Sequence, residues 1–390
     1  MKRVLFVAEL GAGFGHVRRM LPLARAARRM GLRPTFLVPN PGEVGRWLDD
    51  GFELARAPVA PRVRRSHETT GGIARSFSDI LARAGFDDES FIAAALGSWR
   101  QVVDELRPVA AVCEFSPFFC LATTGGALPV LVSGYGFVLP PPELDRFPLL
   151  WAGTPDEKLE LRLLEATNAA ARRHERPPLD ALPALLQGTA HAVTGLALLD
   201  PYSGVRAGKA VGPLGLTEPG FDLQSERERK LFGYLLGDAP DTLPLLRALA
   251  ASGLHGSVFV RRAQPAQRAV IDGSRITWLE RPEPTALVLK RASVVAHHAS
   301  MLLSEETITA GVPQLLQPIY LEHALTARIL AATGAASIIR PGAPFDEMAA
   351  QVRAVLEQPA IYSAARELAN AVRAQLPPTE LAAELLGTVL

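Results

Sequence analysis

The chain is 390 residues long, with 41 Lys+Arg against 40 Asp+Glu, 48% hydrophobic residues and 32 each of glycine and proline. That length suits two or three domains and the apolar fraction fills real cores, which excludes global disorder. The balanced charge argues against a nucleic-acid binder, two cysteines (Cys113, Cys120) cannot make a disulfide framework, and no apolar run approaches the ~20 residues that span a bilayer.

Met1-Lys2-Arg3 leads at once into Val4–Ala8, a short apolar run that reads as a buried parallel strand. With no cleavable signal in view, a cytoplasmic protein is expected. The glycine-rich turn Gly11-Ala12-Gly13-Phe14-Gly15-His16 follows, then an amphipathic helix over 17–29 with Pro22 placed where an early turn tolerates it. Thr35–Val38 is a second strand, and strand–loop–helix–strand is a parallel α/β unit. The alternation continues with strands at 109–113, 130–133 and 192–195 and helices at 90–106 and 157–174. Residues 200–228 are rich in turn formers and read as a connector. The alternation then restarts with strands at 231–236, 256–261, 275–279, 293–296, 313–317 and 337–339, helices at 242–252 and 301–310, and three helices to the end at 348–356, 361–375 and 379–390. Two α/β halves joined by a linker fit this order better than one large sheet.

A glycine loop after a first strand suggests a dinucleotide site, but the details oppose it. The third glycine of that fingerprint is His16, and the second strand ends in Pro39-Asn40 where an acidic residue should hold a ribose. The loop instead frees space at the sheet's C-terminal edge, where α/β folds bind ligands. His16, at a helix N-terminus, is placed either to act as a neutral base or merely to cap the helix. Both readings stay open on these residues alone.

The second motif begins where Ser293–Ala296 runs into His297-His298-Ala299-Ser300 and a helix containing Glu305 and Glu306, ending Ala310-Gly311-Val312-Pro313. A helix N-terminus after small residues offers free N–H groups and a favourable dipole to a phosphate. His298 is expected to donate to a phosphate oxygen, and Glu306 to accept from ribose hydroxyls. The competing reading is a buried turn with two polar capping histidines.

The run His298-Ala299-Ser300-Met301-Leu302-Leu303-Ser304-Glu305-Glu306, followed by Ala310–Pro313, resembles the donor signature of the UDP-glycosyltransferase superfamily, whose fold is GT-B. There a His-Gly-Gly run leads to a Glu and then to Ala-Gly-Val-Pro. Pro318-Ile319-Tyr320-Leu321-Glu322-His323 resembles the family's next segment, with Glu322 and His323 at its acidic and Gln positions. Ile276–Leu279 resembles the stretch that holds the nucleobase, with Trp278 and Leu279 at the site. In the first half, Gly15-His16 resembles the Gly-His loop whose His is the catalytic base, and Glu114 falls near the acid that orients it. The resemblance covers essentially the whole chain. It departs at Ala299-Ser300 for the paired glycines, at Leu302 and Leu303, at His323 for Gln and at Thr326 for Asn.

The resemblance implies an α/β fold of two Rossmann-like parallel-sheet domains facing across a cleft. It assigns residues 1–205 to an acceptor-side domain, 206–375 to a nucleotide-sugar domain, and 376–390 to a helix returning to the first. It implies inverting transfer of a sugar, most often from a UDP-sugar, to a hydroxyl of a small-molecule or lipid-precursor acceptor, as a hexosyltransferase. His16 and Glu114 would be catalytic. Donor residues would be Gly13, Gly15, Trp278, Leu279, His298, Ala299, Ser300, Met301, Leu302, Glu306, Glu322 and His323. No Asp-x-Asp pair is present, so neither a metal nor a separate cofactor is expected. A nucleotide sugar and the acceptor are the expected partners, with peripheral membrane contact left open and no nucleic acid. Two readings stay beside this one: an epimerase or hydrolase of the same fold, and a non-catalytic nucleotide-sugar binder. Tyr135, Phe137 and Leu139 suggest an apolar acceptor wall, while Arg62, Arg64, Arg65 and His67 read as a solvated basic stretch or a site for an anionic acceptor.

Overall fold

The computed structural model describes residues 1–11, 14–46, 48, 51–59, 74–216 and 229–390. Gly13 of the first glycine loop, the basic stretch Arg62–His67 and the end of the connector lie outside the described residues. The chain divides into two compact units, Met1–Gly215 with Pro377–Leu390, and Leu216–Leu376.

The first unit is built on six strands, β1 Arg3–Ala8, β2 Arg33–Val38, β3 Glu53–Arg56, β4 Ala110–Glu114, β5 Val130–Gly134 and β6 Ala190–Val193. They pair in parallel in the order β3-β2-β1-β4-β5-β6. Side-chain alternation along β1 divides the core between the two faces of the sheet. Val4, Phe6 and Ala8 join Val17, Met20 and Leu23 on one face, while Leu5 and Val7 join Trp99, Phe118 and Phe119 on the other. Both faces are covered, so β1 is buried from Val4 to Ala8 and reads as a continuous apolar run. The helix Leu381–Gly387 at the end of the chain adds Ala382 and Leu386 to the first of these clusters.

The second unit repeats the plan with β7 Lys230–Leu236, β8 His255–Arg261, β9 Ile276–Leu279, β10 Val294–His297, β11 Gln314–Leu316 and β12 Ala336–Ile338. Their order is β12-β11-β10-β7-β8-β9, again parallel throughout. Each sheet starts at its centre, winds outward, then returns to wind the other way. The reversal opens a crevice between β1 and β4 and between β10 and β7, at the carboxyl ends of the strands, where doubly wound sheets bind ligands.

Three differences from the sequence reading bear on function. The helix after β1 runs Phe14–Arg29, starting three residues early. His16 therefore occupies its first turn and Pro22 its interior, where the ring leaves the preceding turn one hydrogen bond short. Residues 117–123, to which the sequence reading gave no element, form a helix beginning at Pro117, and Cys120 within it brings its Sγ to 3.4 Å from that of Cys113. Residues 321–332, compared above only with a motif, are helical and carry Glu322 and His323 in the first turn. Among the described residues no helix is long and apolar enough to cross a membrane.

Candidate active site

In the first unit the crevice between β1 and β4 brings His16 and Glu114 together across 98 residues of sequence. His16 Nδ1 lies 3.3 Å from Glu114 Oε1. Glu114 closes β4 with only 1% of its surface exposed, while the His16 side chain keeps 17%. A carboxylate only accepts hydrogen bonds, so Nδ1 is the donor, and in the neutral imidazole Nε2 then keeps its lone pair. The turn after Glu114 is held open by Phe115, a non-glycine residue at φ 49°, and tied by Ser116 Oγ, which donates to Val7 O at 3.1 Å and Glu114 O at 2.9 Å. Such a left-handed conformation costs a non-glycine residue about 1–2 kcal/mol and persists only where the surroundings enforce it.

Aromatic rings surround the imidazole. Phe115 lies 5.9 Å and Tyr135 6.2 Å from it, centroid to centroid, and Phe77 connects Phe115 to Phe147. The Arg19 guanidinium stands 4.6 Å over the Tyr135 ring and donates to Thr194 O. Sequence reasoning singled out Tyr135 for the acceptor wall but missed Arg19 and Phe115.

It also missed Glu9, one residue beyond β1. Its carboxyl oxygens accept from the Trp99 indole N–H and from the backbone N–H groups of Phe118 and Phe119, at 2.9 and 3.0 Å. Burial pushes its carboxyl up to about 8, against the pull of these three donors. Glu9 thus pins the helices on one face of the sheet to the end of β1, beside the loop that presents His16. A lone carboxylate directly after an apolar strand was the only signal for it.

An open groove of about 800 Å³, lined by Arg100, Asp104, Glu105, Arg107 and His174, lies elsewhere on this unit. It follows the end of the helix that feeds β4, so it sits at the amino-terminal edge of the sheet, away from the dyad.

In the second unit, β10 ends at His297 and the loop His298–Ser300 leads into the helix Met301–Thr309. Ala299 adopts φ 64° and is fully buried, which explains why glycine is the resembled family's residue here. Ser300 precedes the helix without making a side-chain capping bond. Met301 is buried and Leu302 half-buried. Leu303 packs with Leu289, Val295 and Val312, so it is a core residue and offers no phosphate donor. Glu306 sits half-buried in the second turn.

His298, the residue expected to donate to a phosphate, has both ring nitrogens engaged within the chain. Its Nδ1 lies 2.8 Å from Gln317 O, which can only accept, and its Nε2 accepts from the Leu236 N–H at 2.8 Å. Both nitrogens are used, and the neutral imidazole ties the ends of β7 and β11 together. His297 is equally committed, bonded to Gln314 Oε1 at 2.8 Å and accepting from the Ala299 N–H. Burial lowers both histidines' pKa, His297 to about 4.

His323 stands beside this pair, its ring 6.4 Å from His298 and 5.2 Å from Tyr320. It is 9% exposed, and among the described residues its Nδ1 has no hydrogen-bond partner. Glu322 beside it is half-buried. Trp278 and Leu279 close β9, three strands from β10, which places them about 14 Å along the sheet from the loop. Gly15 lies in the first turn of the Phe14–Arg29 helix in the first unit, and not with these residues.

No family model matches the chain. Over 102 residues it is 35% identical to the elloramycin glycosyltransferase of Streptomyces olivaceus, covering 26% of this chain and 25% of that protein. Over 131 residues it is 33% identical to O-mycaminosyltylonolide 6-deoxyallosyltransferase of Streptomyces fradiae, covering 33% of this chain and 28% of that one. The chain thus spans about a quarter of the length of the curated relatives it matches. Similar solved structures cover far more. The spinosyn rhamnosyltransferase SpnG superposes with TM-score 0.68 at 18% identity, over 99% of this chain and 100% of that one. The kitacinnamycin glycosyltransferase gives TM-score 0.70 at 16% identity, over 100% and 99%. Two parallel six-stranded sheets wound in the same order, each flanked by helices, are the GT-B fold that the resemblance implied.

Proposed function

We propose that this chain transfers a hexosyl group from a nucleoside diphosphate sugar to a hydroxyl of a small hydrophobic acceptor, with inversion. The observation that carries this reading is the His16–Glu114 dyad, 3.3 Å apart at the ligand-binding edge of the first sheet.

The chemistry follows from the tautomer. Glu114 holds the Nδ1 proton, so Nε2 takes the proton of the acceptor hydroxyl as its oxygen attacks the anomeric carbon. The new carbon–oxygen bond forms opposite the breaking bond to the diphosphate, which leaves with the electron pair. Glu114 then stabilises the imidazolium, as the carboxylate does in a Ser-His-Asp triad. In the second unit the leaving diphosphate would be met by the backbone N–H groups at the start of the helix Met301–Thr309. Ser300 and His323 are the side chains there with donors to offer, since His298 is committed. An extended donor fits the spread from Trp278 to this loop. Among the similar structures, SpnG is known with thymidine diphosphate and with the spinosyn aglycone. That favours a thymidine diphosphate sugar beside the expected uridine diphosphate sugar, and a small-molecule acceptor over a lipid precursor. The rings of Phe77, Phe115, Tyr135 and Phe147 suit such an apolar aglycone. With no acidic pair for a metal clamp in the sequence, turnover is expected to survive chelation.

The test is turnover of UDP- and dTDP-sugars with a panel of hydroxylated polyketides, with and without EDTA, and product stereochemistry read by NMR coupling constants. Full transfer by His16→Ala would refute the base. A second reading, nucleotide-sugar binding without transfer, is favoured by one observation, the engaged His298. Calorimetric binding with no turnover on any acceptor would select it.

A further inference from the structure

The glycine loop holds three glycines, and the one that matters for His16 is not the one beside it. A Cβ added to Gly15 would meet nothing within 4 Å. A Cβ added to Gly11 would lie 2.0 Å from His16 Cδ2 and 2.5 Å from both Cγ and Nε2. The φ of Gly11 lies outside the left-handed region, so backbone conformation does not require glycine there. The imidazole does, because it lies in the volume that any side chain would fill.

We propose that Gly11 is a positioning residue for the His16–Glu114 dyad, its missing side chain leaving the space in which the imidazole keeps Nδ1 on Glu114 and Nε2 accessible. This rests on the reading of His16 as the base. Ordinary van der Waals contact begins near 3.4 Å, so a methyl group at position 11 must drive the ring away by about 1 Å or more. Phe115 and Tyr135 flank the ring at 5.9 and 6.2 Å, centroid to centroid, and the shift carries it out of its place between them and Glu114. Its bond to Glu114, at 3.3 Å, is already near the limit of a hydrogen bond, so such a shift breaks it. The proton on Nδ1 then loses its anchor, and the tautomer with a free Nε2 lone pair is no longer enforced.

Misplacement of a reacting group by 1 Å costs on the order of 100-fold in rate. Gly11→Ala is therefore expected to lower kcat about 100-fold while leaving the KM for donor unchanged, since the proposed donor groups lie in the other unit. A structural role alone would not move the second readout. In ¹⁵N-histidine NMR the His16 ring signals, identified by their loss in His16→Ala, should pass from one tautomer to a mixture in Gly11→Ala. Unchanged His16 signals would overturn the proposal. A changed tautomer with full activity would support the positioning and sink His16 as the base, so the two failures are distinguishable. Should Gly11→Ala fold poorly, the double variant Gly11→Ala/His16→Ala decides. Without the imidazole there is no clash, and its Tm should match that of His16→Ala. A melting temperature as low as that of Gly11→Ala would overturn the proposal.

Discussion

Replacing His323 with glutamine should change the pH dependence of stability in a way its burial dictates. Desolvation drives the His323 pKa down from the usual 6.5 to about 3, with the neighbouring His298 and His297 adding to the effect. Tyr320 is the other ring packed against it. The folded chain therefore keeps this imidazole neutral from pH 7 down to about 3, while the unfolded chain protonates it below about 6.5. The unfolded state binds the extra proton, so the contribution is unfavourable on acidification and absent above the unfolded pKa. The cost grows by ~1.4 kcal/mol per pH unit between pH 6 and 4, reaching about 2 kcal/mol at pH 5. Glutamine has no such proton, and the unpartnered Nδ1 means that no hydrogen bond at that atom is lost. Urea unfolding followed by circular dichroism, at half-unit steps from pH 4 to 8, reads the difference. His323→Gln minus parent should be constant above pH 7.5 and should rise with that slope below pH 6. A difference independent of pH would show that His323 is protonated in the folded chain and that the reasoning about its burial is wrong.

Four further outcomes follow from the same geometry. Glu114→Gln should lower kcat by two to four orders of magnitude with little change in donor KM, because it removes the charge that stabilises the imidazolium and adds an amide N–H that can donate to Nδ1 and select the wrong tautomer. His298→Ala should destabilise by about 2–5 kcal/mol in urea titrations, since it orphans the Leu236 N–H and the Gln317 carbonyl. Weakened donor binding at full stability would show instead that His298 touches the phosphate. Asp200→Ala should cost about 3–5 kcal/mol, because the Arg206 guanidinium, held at 2.6 Å and with its side chain 6% exposed, would be left buried without its counter-charge. Ala299→Gly should leave Tm nearly unchanged, as relief of the left-handed backbone, about 1–2 kcal/mol, is offset by glycine's extra chain entropy and the loss of a fully buried methyl, together about 1.5 kcal/mol; a loss of several degrees would show that Ala299 is not strained.

How much of this was legible depends on how local each cause is. The central strands carry their burial in their own residues: Val4–Ala8 is apolar throughout because helices cover both faces of its sheet. β3, Glu53-Leu54-Ala55-Arg56, is an edge strand with half-exposed positions, and no apolar run betrays it. The helix Pro117–Thr123 is seven residues long, too short for periodicity to show, and is held by Glu9 from more than a hundred positions away. Strand order is likewise a property of the whole sheet, and the alternation of strands and helices alone does not state it.

The candidate site divides along the same line. His16 was readable as a residue type at the start of a helix, and Glu114 as a carboxylate at the end of a strand, because both features are local. That the two meet is a consequence of β1 and β4 lying side by side, with Ala8 opposite Glu114 in the register. The histidine pair shows the converse. From order alone His298 sits where a phosphate ligand should be, yet its two nitrogens are engaged by Leu236, which closes β7, and Gln317, which follows β11. Such a ring, bonded on both nitrogens, ties the loop to the ends of two neighbouring strands. The phosphate would then depend on backbone N–H groups, and backbone groups are compatible with many side chains. That is a physical reason why Ala299, Ser300 and Leu303 can stand where the resembled motif has glycines and a hydroxyl: Leu303 was never in a position to donate, and Ala299 needs only a conformation that its buried surroundings enforce.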